Sequence, residues 1–393
     1  MIIKNGVVIT PHEKKLTDIT VENGIITEIA KTDRSNSQVI DATGLYVCPG
    51  FVDIHTHGGC GGDFMDAEDE SFDAALQFHS TSGTTSLLAT TVTAPVDQVV
   101  SMLEVVRKYN AMEAPVCRVQ GAHLEGPYLS LKNKGAQHER YLRVPAKDDY
   151  SFILENSDIV KTVTIAPELE GAAKMVRDLT AKGIVVCGGH DDGDEDRTKP
   201  AIDAGLAHCT HLWCAMSTVA MHDGIRKIGL MEMGLLDSRL TVELIADNHH
   251  ITPDMARLVY KMKGADKMCV VSDALRAGGM PMDGRLYSLG SKQDKTAMQF
   301  IVSDGVARLP DGSRYAGSIQ PVSQMVRNLV QDANIPLVDA VKIGTLTPAR
   351  IAKLDKTVGS ITEGKNGDFC LLDKDLNVVM TIVGGRVVYE RNA

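Results

Sequence analysis

Eight short apolar runs, each followed by a stretch with helical spacing, set the tightest limit on how this chain can fold. The runs are FVDIHTH (51–57), TSLLATTVT (85–93), CRVQGAHLE (117–125), TVTIAPE (162–168), GIVVCGGH (183–190), AHCTHLWC (207–214), LTVELIAD (240–247) and KMCVVSDA (267–274). Stretches such as ESFDAALQFHS, VDQVVSMLEVVRKY, GAAKMVRDLTAKG and TPDMARLVYKMKG separate them and read as helices. In the last of these, Thr252 is placed to cap the helix and Pro253 to open it. Strands alternating with helices predict a parallel sheet of the α/β class, and eight is the number that closes it into a (β/α)8, TIM-like barrel.

The two ends read differently. IIKNGVVIT, DITVENGIITEIA and SQVIDATGLYVCPG at the start, and DFCLLDKDLNVVMTIVGGRVVYE at the finish, are short strands, with turn signals at Asn5-Gly6 and Asn23-Gly24. The expected division is a small β-sandwich domain from 1–49 plus 352–393 around a barrel of 50–351. A net charge of −10 repels nucleic acid and anionic membranes, so an anionic ligand has to be held by local groups. No apolar run is long enough to span a bilayer, and the N-terminal apolar stretch is too short for a secretion signal, so a cytoplasmic setting is expected. Eight cysteines without a CxxC pair read as buried free thiols, and Cys60 and Cys214 alone sit beside motif residues.

Metal-binding residue types recur at one place in the units, the C-terminal end of the strand. They are His55 and His57 on the first strand, Glu125 on the third, His190 on the fifth, His211 on the sixth and Asp273 on the eighth. In a barrel those ends converge on one face, where active sites are built. His55 and His57 are two residues apart, so both imidazoles point to the same side of a strand. Imidazoles with a carboxylate suit a divalent ion; zinc is the first expectation, with iron, manganese or cobalt compatible. Asp273, at the end of the final strand, is placed to accept a proton from an attacking water and pass it to a leaving nitrogen.

The segment 42–58 (ATGLYVCPGFVDIHTHG) resembles the entry segment of the amidohydrolase superfamily. His123-Leu-Glu-Gly-Pro127, Gly189-His190, Thr210-His211-Leu212, Ser272-Asp273-Ala274, Thr347-Pro-Ala-Arg350 and Gly359-Ser-Ile-Thr-Glu-Gly-Lys365 resemble the N-acetylglucosamine-6-phosphate deacetylase family within it. That resemblance covers nearly the whole chain. It implies a metal-dependent hydrolase that removes the acetyl group of an amino-sugar phosphate, working as a homodimer. It further implies that Glu125, His190 and His211 hold a principal ion, that His55 and His57 complete a second site, and that Asp273 is the catalytic base.

The substrate side departs from the family pattern. Where the family continues THL with Asn-Ala-Met, this chain has Trp213-Cys214-Ala215-Met216, replacing a good donor with a poor one. His222 stands where some members place a phosphate-binding Arg supplied across the dimer interface, and Arg226, four residues on, is expected to reach the same place from a helix. His250 keeps the position expected to contact the phosphate. Either Gln137 or His138 in KGAQH could polarise the substrate carbonyl, and Trp213 could pack the barrel or stack on a sugar. The same machinery would serve a galacto isomer, an unphosphorylated N-acetyl sugar, or another N-acyl or cyclic amide. A barrel that had lost its chemistry would be expected to have lost ligands, and all six positions are filled.

Overall fold

The computed structural model describes residues 1–33, 38–113 and 116–391, apart from the side chain of His222. The eight apolar runs become eight strands in one parallel sheet, here β1 to β8: Phe51–Thr56, Thr84–Thr90, Arg118–Glu125, Val160–Ile165, Val185–Gly188, His208–Cys209, Thr241–Leu244 and Met268–Val270. Each is hydrogen-bonded to its neighbour in chain order. No ladder joins β8 back to β1. The segment after β8 closes the sheet instead: Asp273 donates its N–H to the His55 carbonyl (2.9 Å), and His57 donates to the Ala274 carbonyl (2.9 Å). Buried Asp53 accepts from the Ser272 N–H across the same seam (3.2 Å). The strands are buried on both faces because the barrel packs inward and the helices cover the outside. Leu87, Leu88, Leu124, Val163, Val186, Val242 and Val270, for example, are fully buried.

The helices use the expected apolar spacing. Pro253–Lys263 opens on its proline as the sequence predicts, but Thr252 makes no side-chain capping bond. No helix among the described residues is long and apolar enough to cross a membrane. Both chain ends supply strands to a second, eight-stranded sheet, in which Phe369–Leu372 lies antiparallel to Tyr46–Pro49. That sheet has its own core, including Ile3, Ile19, Val47, Phe369 and Ile382, separate from the barrel's.

One feature of the structure lies outside the sequence reading. Between β8 and the last helices, the chain forms a four-stranded antiparallel sheet from Leu286–Ser288, Gln299–Ser303, Val306–Arg308 and Tyr315–Gly317. Ser318 donates to the Asp273 carbonyl (2.9 Å), so this sheet is anchored at the tip of β8. Two Asp-Gly turns, Asp304-Gly305 and Asp311-Gly312, were the available hairpin signals.

Candidate active site

The six strand-tip residues meet. The Glu125 carboxylate is the hub: Oε1 lies 3.0 Å from His190 Nε2, 3.0 Å from His211 Nε2 and 3.5 Å from His55 Nε2. Oε2 is 3.6 Å from His57 Nε2. Asp273 Oδ1 stands 3.1 Å from His57 Nε2 and 3.5 Å from His55 Nε2. All six residues are buried. The β pleat turns His55 and His57 to one side, and every other member sits at or just beyond its strand's last residue.

A cation fits this donor set. Two ligands bound to one ion at about 2.1 Å each, with a near-tetrahedral angle, lie about 3.4 Å apart, and the distances above scatter around that value. The donor atoms form two overlapping triads, His55–Glu125–His211 and His55–His57–Asp273, which share His55. His55 Nε2, the shared atom, is buried and has no hydrogen-bond partner among the described residues. Its other nitrogen is fixed, with Nδ1 2.7 Å from Glu243 Oε1. Burial alone would depress the His55 pKa, but Glu243, Glu125 and Asp273 outweigh it and raise it to about 10. Burial likewise pushes the Glu125 carboxyl up, and His55 and His190 reverse this and hold it well below its ordinary value. The cluster is therefore a concentration of negative charge that favours a positive guest.

The backbone at these tips is unusual. His190, His211 and Asp273 have φ of 49°, 23° and 45°, the left-handed region that non-glycine residues rarely enter. Each such residue costs on the order of 1–3 kcal/mol and persists only where its surroundings fix it. Here the surroundings are explicit. His190 Nδ1 is 2.9 Å from the Asn133 carbonyl, and the His211 N–H donates to Glu243 Oε1 (3.0 Å). Glu243, on β7, also holds His208 Nε2 at 3.0 Å, so one carboxylate orients two cluster histidines and a third behind them. The sequence reading missed Glu243 because it lies inside a strand and not at its tip. A third potential metal triad, His208–Glu243–Cys269, lies in this same buried support layer. His123, beside Glu125 in the motif, is pushed well below its ordinary pKa by burial and by His55, and its Nε2 lies 2.8 Å from Thr164 Oγ1.

Above the cluster opens a cavity of about 360 Å³ lined by His57, Glu125, His190, His211 and Asp273 at its polar floor. Cys214, Ala215 and His250 line it, as does Trp213. His250 Nδ1 is tied to Asp247 Oδ2 (2.8 Å) and its ring lies 4.9 Å from that of Tyr315. Gln137 also lines the cavity, but both ends of its amide are engaged. It donates to Glu125 Oε2 (2.6 Å) and accepts from the Thr93 N–H (2.7 Å). His138 does not reach this space: it lines a small neighbouring cavity, lies with its ring tilted against Tyr141 (centroids 4.9 Å apart) and accepts from the Arg140 N–H (3.2 Å).

Arg226 is on a hairpin and not on a helix. Strand Ala220–His222 pairs with Ile225–Lys227 around Asp223-Gly224, whose φ of 50° and 79° make the tight turn that Asp-Gly favours. Arg226 is exposed there and is absent from the cavity wall. His222 is in the same hairpin, and its side chain lies outside the described residues. All eight cysteines are free; Cys60 is exposed and Cys214 half-buried.

Residues 46–388 match the amidohydrolase family. The chain is 33% identical to the N-acetylglucosamine-6-phosphate deacetylase of Vibrio furnissii, over 94% of this chain and 90% of that protein. It is 31% identical to the N-acetylgalactosamine-6-phosphate deacetylase of Escherichia coli O157:H7, over 94% of each. The crystal structure of N-acetylglucosamine-6-phosphate deacetylase from Pasteurella multocida superposes with a TM-score of 0.91 at 28% identity, covering 99% of both chains. With the strand-tip cluster, the cavity above it and a match across almost the full length, the chain belongs to the amidohydrolase family.

Proposed function

We propose that this protein hydrolyses the acetamide of an N-acetylhexosamine 6-phosphate, N-acetylglucosamine 6-phosphate foremost, to the free amino sugar phosphate and acetate. The observation that carries the reading is the convergence of Glu125 with His55, His57, His190 and His211, next to Asp273, on the floor of one ligand-sized cavity. The relatives' activities give the substrate class.

In this reading Glu125, His190 and His211 hold a divalent ion, zinc foremost, and His55 and His57 complete a second position. When bound, such an ion polarises a carbonyl and lowers the pKa of water. Asp273, whose Oδ1 faces His57 and His55, accepts the proton of the attacking water and returns it to the amine as the C–N bond breaks. Gln137 steadies Glu125 through its 2.6 Å bond, and Glu243 sets the ring orientation of His55. His250, Cys214 and Ala215 border the sugar. The reading includes a homodimer in a cytoplasmic setting.

A galacto substrate is the second reading. It is favoured by the similarity to an N-acetylgalactosamine-6-phosphate deacetylase and by Cys214, which offers the sugar a weak donor. The test is acetate release by the metal-loaded protein from both 6-phosphates and from the unphosphorylated sugars. Turnover of a 6-phosphate well above that of its parent sugar is expected. Equal kcat/KM with and without phosphate removes the phosphosugar assignment.

A further inference from the structure

Among the described residues lining the cavity, Arg314 is the one permanently cationic side chain. We propose that Arg314 binds the anionic group of the substrate, and that it does so from within the same subunit as the metal cluster. The inference rests on the phosphorylated-sugar reading and deepens it by assigning the group that recognises the phosphate.

Charge requires such a group. The chain carries −10 overall, and the ion proposed for the floor of the cavity serves the acetamide, so a phosphate at the other end of the substrate needs a cationic partner of its own. A guanidinium suits a phosphate because its planar fork donates two parallel hydrogen bonds to two oxygens. Its acidic neighbour Asp311 feels the guanidinium electrostatically, but the two form no ion pair within 4 Å among the described residues.

Its position is built by the backbone. The Leu309 N–H donates to the Arg314 carbonyl (3.0 Å), and Gly312 donates to the Leu309 carbonyl (2.8 Å). Gly312 has a φ of 71°, and Asp311 Oδ1 accepts from the Ser313 N–H (2.9 Å). This turn fixes Arg314 at the start of strand Tyr315–Gly317, which runs inward to Ser318 and its bond to the Asp273 carbonyl. Four residues of extended chain span about 13 Å, so Arg314 lies at the outer end of a strand whose inner end holds the proposed base. A substrate with its acetamide at Asp273 therefore extends its far end towards Arg314.

The neighbours support an anion there. Tyr315 presents its ring to His250 at 4.9 Å and carries the Arg308 guanidinium 5.0 Å from its centroid. Asp247 occupies His250 Nδ1, leaving Nε2 as the ring nitrogen available to a ligand in the cavity that His250 lines. The resemblance puts a phosphate-binding arginine, in some family members, eleven residues after the THL histidine and supplied across a dimer interface. Here the corresponding stretch is the hairpin that carries His222 and Arg226, and Arg226 is outside the cavity wall, while Arg314 is part of it.

The experiment measures kcat/KM for N-acetylglucosamine 6-phosphate and for N-acetylglucosamine in the metal-loaded wild type and in Arg314→Met, Arg314→Lys and Arg226→Met. The quantity read is the ratio of the two constants. Losing a charge-assisted pair at this site should lower the ratio in Arg314→Met by about 10- to 100-fold, chiefly through KM, with Arg314→Lys in between. Competitive inhibition by inorganic phosphate should weaken in parallel. Arg314 is exposed in a turn, so the variant keeps its fold. A wild-type ratio near one refutes the phosphosugar reading and this assignment with it. A high wild-type ratio that survives in Arg314→Met refutes the assignment alone, and a collapse in Arg226→Met instead places the anion on the other hairpin.

Discussion

Glu243→Gln isolates charge from shape at the residue that organises the histidine cluster. The carboxylate has three partners: His55 Nδ1 at 2.7 Å, the His211 N–H at 3.0 Å and His208 Nε2 at 3.0 Å. A glutamine oxygen in the Oε1 position can still accept from His55 and His211, and its amide can donate to His208 Nε2. His208 Nδ1 keeps Thr241 Oγ1 at 2.8 Å, so no buried group is stranded and the barrel should fold. What disappears is the negative charge behind His55, which makes that ring a better electron donor to whatever Nε2 binds. Charge-assisted bonds are roughly twice as strong as neutral ones, and removing such a support typically costs about 10- to 100-fold in metal affinity. The expected loss is therefore about 1.4–2.7 kcal/mol of metal binding. A chelator-competition titration reads it directly, and thermal unfolding of the metal-free variant checks the fold. Unchanged metal affinity together with unchanged turnover would refute the argument, leaving Glu243 as a packing residue.

Two other perturbations separate chemistry from stability. Asp273→Asn should keep the ion held by Glu125, His190 and His211 and lose about 10²- to 10⁴-fold in kcat, the value of a positioned general base; full turnover would take Asp273 out of the mechanism. Glu168 is half-buried near Asp191, and the desolvation of its carboxyl together with that neighbouring charge raises its pKa from 4.5 to about 7. The folded carboxyl thus holds a proton that the unfolded one has released, so its contribution to stability declines as pH rises from about 4.5 to about 7. Glu168→Gln can still accept the Asp192 N–H now 2.7 Å away, and should raise the melting temperature at about pH 8 but not at about pH 5. A gain of equal size at both pH values contradicts this sign.

The barrel was legible because its periodicity and its chemistry coincide. Each apolar run is short, and the residue that follows it is often a histidine or an acid, so strand ends and ligands are marked together. His55, Glu125, His190, His211 and Asp273 could be lifted from the sequence on that basis. Glu243 could not: alternation inside LTVEL reads as one polar residue in a strand, and only three-dimensional closure shows that it faces His55 and His208. The substrate wall was harder still. His138 and Gln137 are adjacent, yet one turns into a side cavity while the other is consumed by Glu125 and Thr93. Arg226 was read on a helix although Asp223-Gly224 beside it is a hairpin signal. Arg314 lies in a sheet inserted after β8, where eight-unit periodicity has already run out.

The cluster and the barrel seam use the same segments, so binding a cation and closing the fold should be linked. No ladder joins β8 to β1. Closure rests on Asp273 N–H to the His55 carbonyl, His57 N–H to the Ala274 carbonyl, and Ser272 on Asp53. Asp273 holds its left-handed backbone only while these bonds last, and a cation held by His55, His57 and Asp273 ties both sides of the seam through their side chains. A ligand binding the closed form alone at about 100 times its Kd stabilises that form by about 2.7 kcal/mol, and the population of the locally open form, with the exchange that passes through it, should fall by the matching factor of about 100. Hydrogen exchange therefore has a definite pattern to show. The amides of His57, Gly58, Asp273 and Leu275 should gain protection on metal loading, while those in the middle of β4, far along the sheet from the seam, should not. Uniform protection along all eight strands, or none at the seam, would mean that the barrel closes without help from its metal.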